Sequence, residues 1–326
     1  MSEFRAVDKV EIRILVDNAT DMLSSNPPNV ESEGAFLTRR GFKLNAYKCL
    51  CCAVHGLSCL VTVHRGDISH TVLFDTGPED YAFERNVTRL GVDLGAVESI
   101  VLSHGHADHA GAMLLALGMV RGRNGGRDVP FYAHPGMFMS RGVRQPNGNV
   151  RQMEDVPSLQ DLKDFGAEVV MTTEPQAFLE GGFYVSGEIP RVTGFEKGLP
   201  GQHRKTLDGR SWELDELVMD ERFLVLHVGN KGLIVFTACS HAGVINVLKH
   251  AKNSFPDVPL FALIGGFHLT GSNERIIPET VEAMREFDLA IIAPGHCTGW
   301  RAVNALANAF GDSKLAPLAV GKRYLF

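Results

Sequence analysis

Alternating hydrophobic and polar residues mark a series of short β-strands along the chain. Val10–Val16 shows the alternation clearly. Gly56–Val63 and Thr71–Phe74 predict one hairpin, and Phe223–Val228 and Leu233–Thr237 predict another. Further strands are predicted at Val129–Ala133, Glu168–Met171, Gly181–Ser186, Leu260–Ile264 and Leu289–Ala293.

Apolar residues at helical spacing alternate with these strands. Tyr81–Leu90 is such a segment, and Gly91 follows it, as expected at a helix C-terminus. Helices are also predicted after Gly243, at Glu279–Phe287 and at Trp300–Phe310. Because strands and helices alternate, the pattern predicts a mixed α/β fold.

Three polar stretches interrupt the pattern and predict long loops within a single domain spanning residues 1–326. They cover about residues 17–47, 136–160 and 194–216. Ser24–Gly34, in the first stretch, is rich in Ser, Asn, Pro and Glu. We expect it to be either a flap over a site or a plain surface loop.

Composition is typical of a soluble globular protein. The chain has 326 residues, of which 44% are hydrophobic and 21% are charged. A net charge of -6 gives no electrostatic basis for binding nucleic acid. The first residues show no signal peptide, and no apolar run is long enough to span a bilayer. We therefore expect a cytoplasmic protein without membrane association.

Four of the six cysteines, Cys49, Cys51, Cys52 and Cys59, lie close together in strand-like sequence. This spacing is a poor disulfide framework. Two interpretations remain open. The residues are either small buried side chains in a reducing compartment, or a metal site at Cys49–Cys52 whose spacing differs from that of a zinc ribbon.

The stretch richest in reactive side chains is Ser103–Gly111, which contains His104, His106, Asp108 and His109. It follows an apolar strand end and precedes a helix start. Histidine is the commonest metal ligand, and a carboxylate extends the choice. His104 and His106 are two residues apart and point the same way from an extended backbone. One loop could thus serve two adjacent ions, whereas Asp108 as a helix cap would explain none of the histidines.

Three later strand ends also deliver a histidine each: His241, His268 and His296. A lone histidine is usually a satisfied core or loop residue. Four strand ends that carry histidine and alternate with helices are hard to explain by chance, so we expect the side chains to face one cleft.

These segments carry a resemblance to a known family. The motif His-x-His-x-Asp-His after an apolar strand resembles the signature of the metallo-β-lactamase-fold superfamily. Phe74–Gly77 is similar to its first motif, and Cys239–His241 and Gly295–Gly299 are similar to its later metal-binding segments. More narrowly, Leu102–Gly111 and Gly265–Leu269 resemble a branch often labelled dihydropterin–ribofuranosylaminobenzene phosphate synthase. The resemblance implies an αββα sandwich of two mixed β-sheets flanked by helices.

The resemblance also implies a ligand set. It assigns His104, His106 and His241 to a first ion, and Asp108, His109 and His296 to a second. Asp75 is expected to orient a metal-bound histidine; its alternative role is a turn cap. Where the superfamily has a bridging aspartate, Cys239 or Ser240 stands here, so one or two divalent ions are expected. Zinc suits the imidazoles, and manganese or iron suits a set with a carboxylate.

The expected function is hydrolysis of an ester or phosphoester by water activated at this centre, with Asp108 and His268 as catalytic groups. His268 would act on the substrate or donate a proton; its alternative is a buried histidine. The expected partner is a small molecule, anionic or phosphorylated, with Arg141, Arg191 and Thr298 as candidate contacts. Two alternatives stay open: a transferase acting on a phosphorylated pterin-pathway-like substrate, and a non-catalytic metal-binding or sensor protein.

Overall fold

The structure is a computed structural model, and it describes residues 3–43 and 50–326. Cys49, part of the cysteine cluster, and the last residues of the first predicted loop lie outside the described residues. The strands are β1 (Lys9–Val16), β2 (Val30–Glu31), β3 (Ser58–Arg65), β4 (Ile68–Phe74), β5 (Val97–Val101), β6 (Val129–Ala133), β7 (Arg141–Arg144), β8 (Val150–Gln152), β9 (Ala167–Met171), β10 (Gln176–Phe178), β11 (Phe183–Val185), β12 (Gln202–Lys205), β13 (Trp212–Leu214), β14 (Leu224–Val228), β15 (Gly232–Thr237), β16 (Leu260–Gly266), β17 (Ile291–Gly295) and β18 (Arg323–Leu325). The helices are α1 (Glu33–Arg39), α2 (Asp80–Leu90), α3 (Ala107–Ala110), α4 (Met113–Arg123), α5 (Leu159–Asp164), α6 (Val244–Ser254), α7 (Ile277–Met284) and α8 (Trp300–Phe310).

Two mixed sheets pack face to face. The first has the order β2-β18-β1-β3-β4-β5-β6-β9, and the second has the order β10-β11-β14-β15-β16-β17. Alternation along each strand decides what faces the interior. Val72 and Phe74 of β4 enter the core between the sheets, while Leu73 faces outward to the helices. The rings of Phe74 and Phe236 meet edge to face across this core, with centroids 4.9 Å apart.

Helices cover both outer faces. The buried residues Phe83 of α2 and Leu117 of α4 share a cluster with Leu73 of the first sheet, and Leu248 of α6 and Ala302 of α8 pack in the cluster of the second sheet. Each large apolar side chain buried in this way contributes about 1.5–3 kcal/mol. The layers follow the order helix, sheet, sheet, helix, which confirms the αββα architecture implied by the family resemblance. Among the described residues, no helix is long and apolar enough to cross a bilayer.

The strand and helix predictions hold for both halves of the sandwich, with ends that shift by a few residues. Helix α2 ends at Gly91, which adopts the left-handed conformation with φ 58° and bonds back to the last turn. The first polar stretch was predicted wrongly as loop throughout: Val30–Glu31 pairs with β18, and Glu33–Arg39 is helical with Ser32 as its N-cap.

The other two predicted loops are also partly regular. Strands from both stretches form a third sheet with the order β13-β12-β7-β8, in which β7 pairs with β12. Each strand has only three or four residues and is mostly polar, so its local sequence gives little strand signal. Their pairing depends on a partner some sixty residues away along the chain.

The parallel strands β4 and β5 of the first sheet, and β15, β16 and β17 of the second, deliver their carboxyl ends to one edge of the sandwich. Every histidine-bearing strand end predicted from the sequence lies there. This edge carries the candidate site.

Candidate metal centre

Three buried imidazoles from both sheets meet at this edge. Nε2 of His104 lies 3.0 Å from Nδ1 of His106 and 3.2 Å from Nε2 of His241. His104 and His106 lie in the turn between β5 and α3, and His241 lies in the turn between β15 and α6. The structure therefore brings together the three residues predicted for a first ion.

Hydrogen bonds behind two of the rings fix which nitrogens carry protons. Ser103 Oγ donates to the Asp75 carboxylate, so it must accept the proton of Nδ1 of His104, 2.9 Å away. The Gln202 Oε1, an acceptor, lies 2.7 Å from Nε2 of His106, so that nitrogen is protonated. Nε2 of His104 and Nδ1 of His106 are then two bare acceptors that face each other. A cation satisfies both and a hydrogen bond cannot, so these residues fit a divalent metal.

Burial keeps these imidazoles neutral. It lowers the pKa of His104 well below its usual range, assisted by the neighbouring His109. Burial, together with the Arg141 guanidinium, lowers the pKa of His106 to about 4. Burial also lowers the pKa of His241 well below its usual range. Neutral imidazole is the form that binds metal.

A second group forms around His109 and His296, whose Nε2 atoms are 3.2 Å apart. Asp108 Oδ2 lies 3.3 Å from Nε2 of His296 and 3.7 Å from Nε2 of His109. Nδ1 of His109 lies 2.7 Å from the Asp75 carboxylate, and Nδ1 of His296 lies 3.0 Å from Oδ1 of Asn18. Because both of these partners accept, each Nδ1 carries a proton, and the two Nε2 atoms become facing acceptors once both rings are neutral. A cation fits here as well.

The charges of this second group attract a positive ion. Burial opposes protonation of His109, but the Asp108 and Asp75 carboxylates outweigh it and raise the pKa of His109 to about 9. Burial by itself would raise the pKa of Asp108, but the neighbouring His109 and His296 imidazoles outweigh it and hold the pKa of Asp108 well below its usual range. A divalent ion would compete with a proton for the same imidazole nitrogen.

Four residues around the centre have left-handed backbone conformations: Asp75 (φ 55°), Ser240 (58°), His268 (41°) and His296 (46°). For residues other than glycine this conformation costs about 1–2 kcal/mol each. All four lie just beyond the strand ends that bring the ligands together. Such outliers concentrate at functional sites.

An open cleft of about 570 Å³ lies over both ligand groups. Its rim is formed by His55, Arg151, Met153, Glu154 and Leu199, so the third sheet and the segment before β12 supply one wall. The Arg151 guanidinium has no hydrogen bond or ion pair with any residue that the structure describes. It is therefore a free cation at the mouth of the cleft.

The third sheet also holds in place the turn between β5 and α3, which contains His104 and His106. Arg141 donates to the carbonyl oxygen of Gly105 at 2.7 Å, and to Asp215 and Asp220 at 3.0 and 2.5 Å. A Cβ on Gly105 would lie 2.2 Å from Nη1 of Arg141, so glycine is required there. The expectation that Arg141 binds the substrate is wrong, because this side chain is 2% exposed and its donors serve the protein itself.

The other two candidate substrate contacts also turn away from the cleft. The guanidinium of Arg191 donates to the backbone carbonyls of Ile189 and Leu217. Thr298 is fully buried, and its Oγ1 donates to the carbonyl of Gly295 at 2.7 Å. Neither side chain lines the cleft, so both serve local structure.

Cys239, His268 and Cys297 form a third group on the cleft floor, with ligand atoms within 4.8 Å of one another. Cys239 Sγ also lies 3.2 Å from Nε2 of His109. Ser240 Oγ donates instead to a backbone carbonyl at the end of β16, at 2.8 Å. Of the two residues considered for the position of the missing aspartate, Cys239 is thus the one that faces the ligands.

Sequence reasoning missed the support behind His296. The carboxylate of Asp17 accepts the backbone N–H of His296 at 2.8 Å, and Asn18 contacts both the His296 ring and the His55 ring. Nε2 of His55 lies 3.6 Å from Asp108. The polar pair at the end of β1 was a usable signal, because it repeats the pattern of Asp75 after β4.

Two further supports carried no local signal. The buried carboxylate of Glu221 accepts the backbone N–H groups of His241 and Ala242, each at 2.7 Å. Burial raises the pKa of Glu221 to about 7. Gln202, which fixes His106, lies in a segment expected to be a loop. Both residues reach the site only through the tertiary fold.

Fold and ligand set together define a protein of the metallo-β-lactamase type. The sequence model described as the metallo-beta-lactamase superfamily matches residues 55–118. The 7,8-dihydropterin-6-methyl-4-(beta-D-ribofuranosyl)-aminobenzene-5'-phosphate synthase of Methanocaldococcus jannaschii is 31% identical over 260 residues, which cover 79% of this chain and 85% of that protein. The chain belongs to the metallo-β-lactamase superfamily.

Two other comparisons agree with this assignment. An uncharacterized protein of the same organism is 27% identical over 260 residues, covering 78% of this chain and 88% of that protein. The crystal structure of Tm1679, described as a metal-dependent hydrolase of the β-lactamase superfamily, superposes with a TM-score of 0.69. That match has 22% identity and covers 96% of this chain and 98% of the other, and it shows a shared fold.

Proposed function

We propose that the protein is a metal-dependent hydrolase that cleaves an ester or phosphoester bond in a small anionic molecule. The observation that carries the proposal is the pair of bare imidazole acceptors, Nε2 of His104 and Nδ1 of His106, that face each other beneath an open cleft. One or two divalent ions bound there would lower the pKa of a water molecule and polarise the bond to be cleaved.

The chain's own residues would divide the work as follows. His104, His106 and His241 would hold one ion, and Asp108, His109 and His296 would hold the second. Zinc is the first choice for the imidazole set, with manganese or iron for the set that includes Asp108.

The side chain of Asp108 is 25% exposed at the cleft floor, so it can also accept a hydrogen bond from a water molecule there. The neighbouring imidazoles of His109 and His296 hold its pKa well below the usual range, against the effect of burial, and so favour the ionised form that this role needs. We propose that Asp108 positions the attacking water as well as serving the second ion.

The rim of the cleft carries the guanidinium of Arg151 and the carboxylate of Glu154, and the guanidinium is the group that supports an anionic substrate. Arg151 is exposed at the rim and has no partner among the described residues, and a guanidinium binds phosphate or carboxylate through two parallel hydrogen bonds. We propose that Arg151, rather than Arg141, receives the anionic group.

A second candidate function is group transfer at the same centre. It is favoured by the relative from Methanocaldococcus jannaschii, which is named as a synthase of a dihydropterin compound that bears a 5'-phosphate. A transferase would bind a phosphorylated or pyrophosphorylated substrate and would have to exclude water from the reacting atoms. The cleft volume of about 570 Å³ lies within the range of small-molecule binding sites.

One experiment separates these functions. Chelated protein is refilled with zinc, manganese or iron and given a panel of esters and phosphodiesters. It is also given a pyrophosphate-activated dihydropterin with a ribofuranosylaminobenzene phosphate acceptor. Hydrolysis in water supports the first proposal, and acceptor-dependent product supports the second. Retained metal without turnover in either assay would contradict both and favour a metal-binding or sensor protein.

The matched variant is Asp108→Ala. Metal stoichiometry should fall and turnover should be largely lost, while the circular dichroism spectrum stays that of the wild type. If Asp108→Ala keeps both its metal and its turnover, Asp108 is only part of a helix start.

A further inference from the structure

The cleft floor contains a further set of cysteine and histidine side chains that the proposed hydrolytic centre does not use. Cys239 follows β15, His268 follows β16 and Cys297 follows β17, so three neighbouring parallel strands each supply one group. Their ligand atoms all lie within 4.8 Å of one another. All three residues line the cleft.

We infer that Cys239, His268 and Cys297 form a thiolate-containing metal site that takes a thiophilic divalent ion such as zinc. This inference rests on the proposed function because both place a metal ion in this cleft. The ligands of the inferred site differ from those of the proposed hydrolytic centre. Zinc would bind as the two thiols release their protons to solvent, and the imidazole would bind as the neutral ring.

The spacing suits such an ion. Zinc takes sulfur at about 2.3 Å and imidazole nitrogen at about 2.0–2.1 Å in tetrahedral geometry, which puts neighbouring ligand atoms about 3.5–3.8 Å apart. The triad is already within 4.8 Å, so small side-chain rotations are enough to reach this separation. Three protein ligands with a fourth position open to a cleft is the arrangement of catalytic rather than structural zinc.

The backbone holds these residues close together. His268 has a left-handed backbone (φ 41°), and Cys297 lies in the short helical turn His296–Thr298 that follows β17. A Cβ on Gly266 would lie 2.8 Å from Sγ of Cys297, so the glycine lets the thiol pack against β16. Nδ1 of His268 is buried and has no hydrogen-bond partner in the described part of the chain.

The triad is not isolated from the imidazole groups. Sγ of Cys239 lies 3.2 Å from Nε2 of His109, and the His268 ring centroid lies 4.4 Å from that of His241. Cys239 can therefore serve either neighbour, and the cleft would prefer zinc over a hard ion such as manganese. This assigns His268 to metal rather than to the substrate role expected from the sequence.

The test uses cobalt(II) as a spectroscopic probe on the full chain. Chelated protein in reducing buffer is titrated with cobalt(II), and the near-ultraviolet absorption from thiolate-to-cobalt charge transfer is recorded. The wild type should show this absorption and lose it when zinc is added. Cys239→Ser and Cys297→Ser should each reduce it, and the double variant should abolish it. Cys52→Ser, a half-buried thiol bonded to Asn86, is the control and should leave it unchanged.

His268→Ala distinguishes a ligand from a substrate group. If His268 is a ligand, removing its imidazole should weaken cobalt binding and shift the charge-transfer absorption. If His268→Ala keeps the wild-type spectrum and affinity, the triad as described is refuted. The presence or absence of the thiolate absorption in the wild-type protein already tests the inference, so the test remains if a variant fails to fold.

The outcomes also separate this inference from the proposed function. Stoichiometric cobalt without a thiolate band would refute the inference and leave the imidazole centre standing. A thiolate band in a protein that turns over no ester, phosphoester or acceptor substrate would support the inference and refute the proposed function.

Discussion

Asp75→Asn tests how far one buried carboxylate organises the centre. Asp75 is fully buried and accepts three donors: the N–H of Ser103 at 2.8 Å, the Oγ–H of Ser103 at 2.7 Å and Nδ1 of His109 at 2.7 Å. Through Ser103 it also sets the proton on Nδ1 of His104. Asparagine has nearly the same size, but its amide offers one acceptor oxygen and two donors. At least one of the three donors is then left facing an N–H group.

The expected losses follow from these contacts. Each buried donor left without an acceptor costs about 1–3 kcal/mol of the free energy of unfolding, and more when the lost acceptor was charged. Removing a group that orients a metal-bound histidine weakens metal affinity by about 10–100-fold, which is about 1.4–2.8 kcal/mol. Because Asp75 supports His109 directly and His104 through Ser103, we expect weaker binding at both ligand groups.

The assay is a competition titration of chelated protein with zinc against a chromophoric chelator, together with thermal unfolding of the metal-free and zinc-loaded forms. Ser58→Ala is the matched control, because Ser58 Oγ donates to the backbone carbonyl of Asp75 at 2.8 Å and is equally buried. Ser103→Ala keeps the contact between Asp75 and His109 and removes the route to His104. It should therefore weaken the first ion more than the second.

Two results would refute this reasoning. The first is zinc affinity in Asp75→Asn equal to that of the wild type. The second is an equal loss in Ser58→Ala, which would mean that the effect comes from packing around residue 75 and not from its carboxylate.

Three further predictions concern the rim, the third sheet and pH. Arg151→Ala should raise KM for an anionic substrate by about 10–100-fold with little change in kcat, because a charge-assisted contact is worth about 1.5–3 kcal/mol. Arg144→Ala is the control. An unchanged KM in Arg151→Ala would show that Arg151 does not bind the substrate. Gln202→Ala should weaken zinc binding by about 10–100-fold, because His106 loses the partner of its protonated nitrogen; an effect no larger than that of Gln145→Ala would contradict this. In the metal-free protein, the pKa of His106 is lowered to about 4 and that of His109 is raised to about 9, against about 6.5 when unfolded. The lowered pKa of His106 costs stability as pH falls from 6.5 towards 4, and the raised pKa of His109 costs stability as pH rises from 6.5 towards 9. These two histidines therefore favour a highest melting temperature near pH 6.5. A melting temperature that does not change when both histidines are replaced by glutamine would contradict the assignment.

The strands of the sandwich were predictable from the sequence because each is local and strongly patterned, whereas their arrangement as a sandwich was implied by the family resemblance. In β4, Val72, Leu73 and Phe74 alternate between the two faces, and the same alternation runs through Ile234, Val235 and Phe236 of β15. A strand buried on both faces needs an apolar residue at almost every position, and such a run is visible without any knowledge of its partners.

The six predicted ligand residues came together for a related reason. Each lies just beyond a strand with a clear signal, and the carboxyl ends of parallel strands meet at one edge. The side chains behind them were less accessible to prediction. Gln202 and Glu221 act on His106 and His241 from segments with no regular pattern, so their roles depend on how the chain returns to the site.

The two arginines of the third sheet show where local reasoning stops. Arg141 and Arg151 lie in one polar stretch, and nothing in their immediate sequence indicates that Arg141 is buried and hydrogen-bonded while Arg151 is exposed. What separates them is pairing: Arg141 lies opposite Arg204 of β12, an inner strand of the small sheet, whereas Arg151 lies on β8 at its edge. On the inner strand the Arg141 guanidinium is surrounded by Asp215, Asp220 and the Gly105 carbonyl. The face of a residue in so short a strand is set by the register with a distant partner strand, and the local sequence does not specify that register.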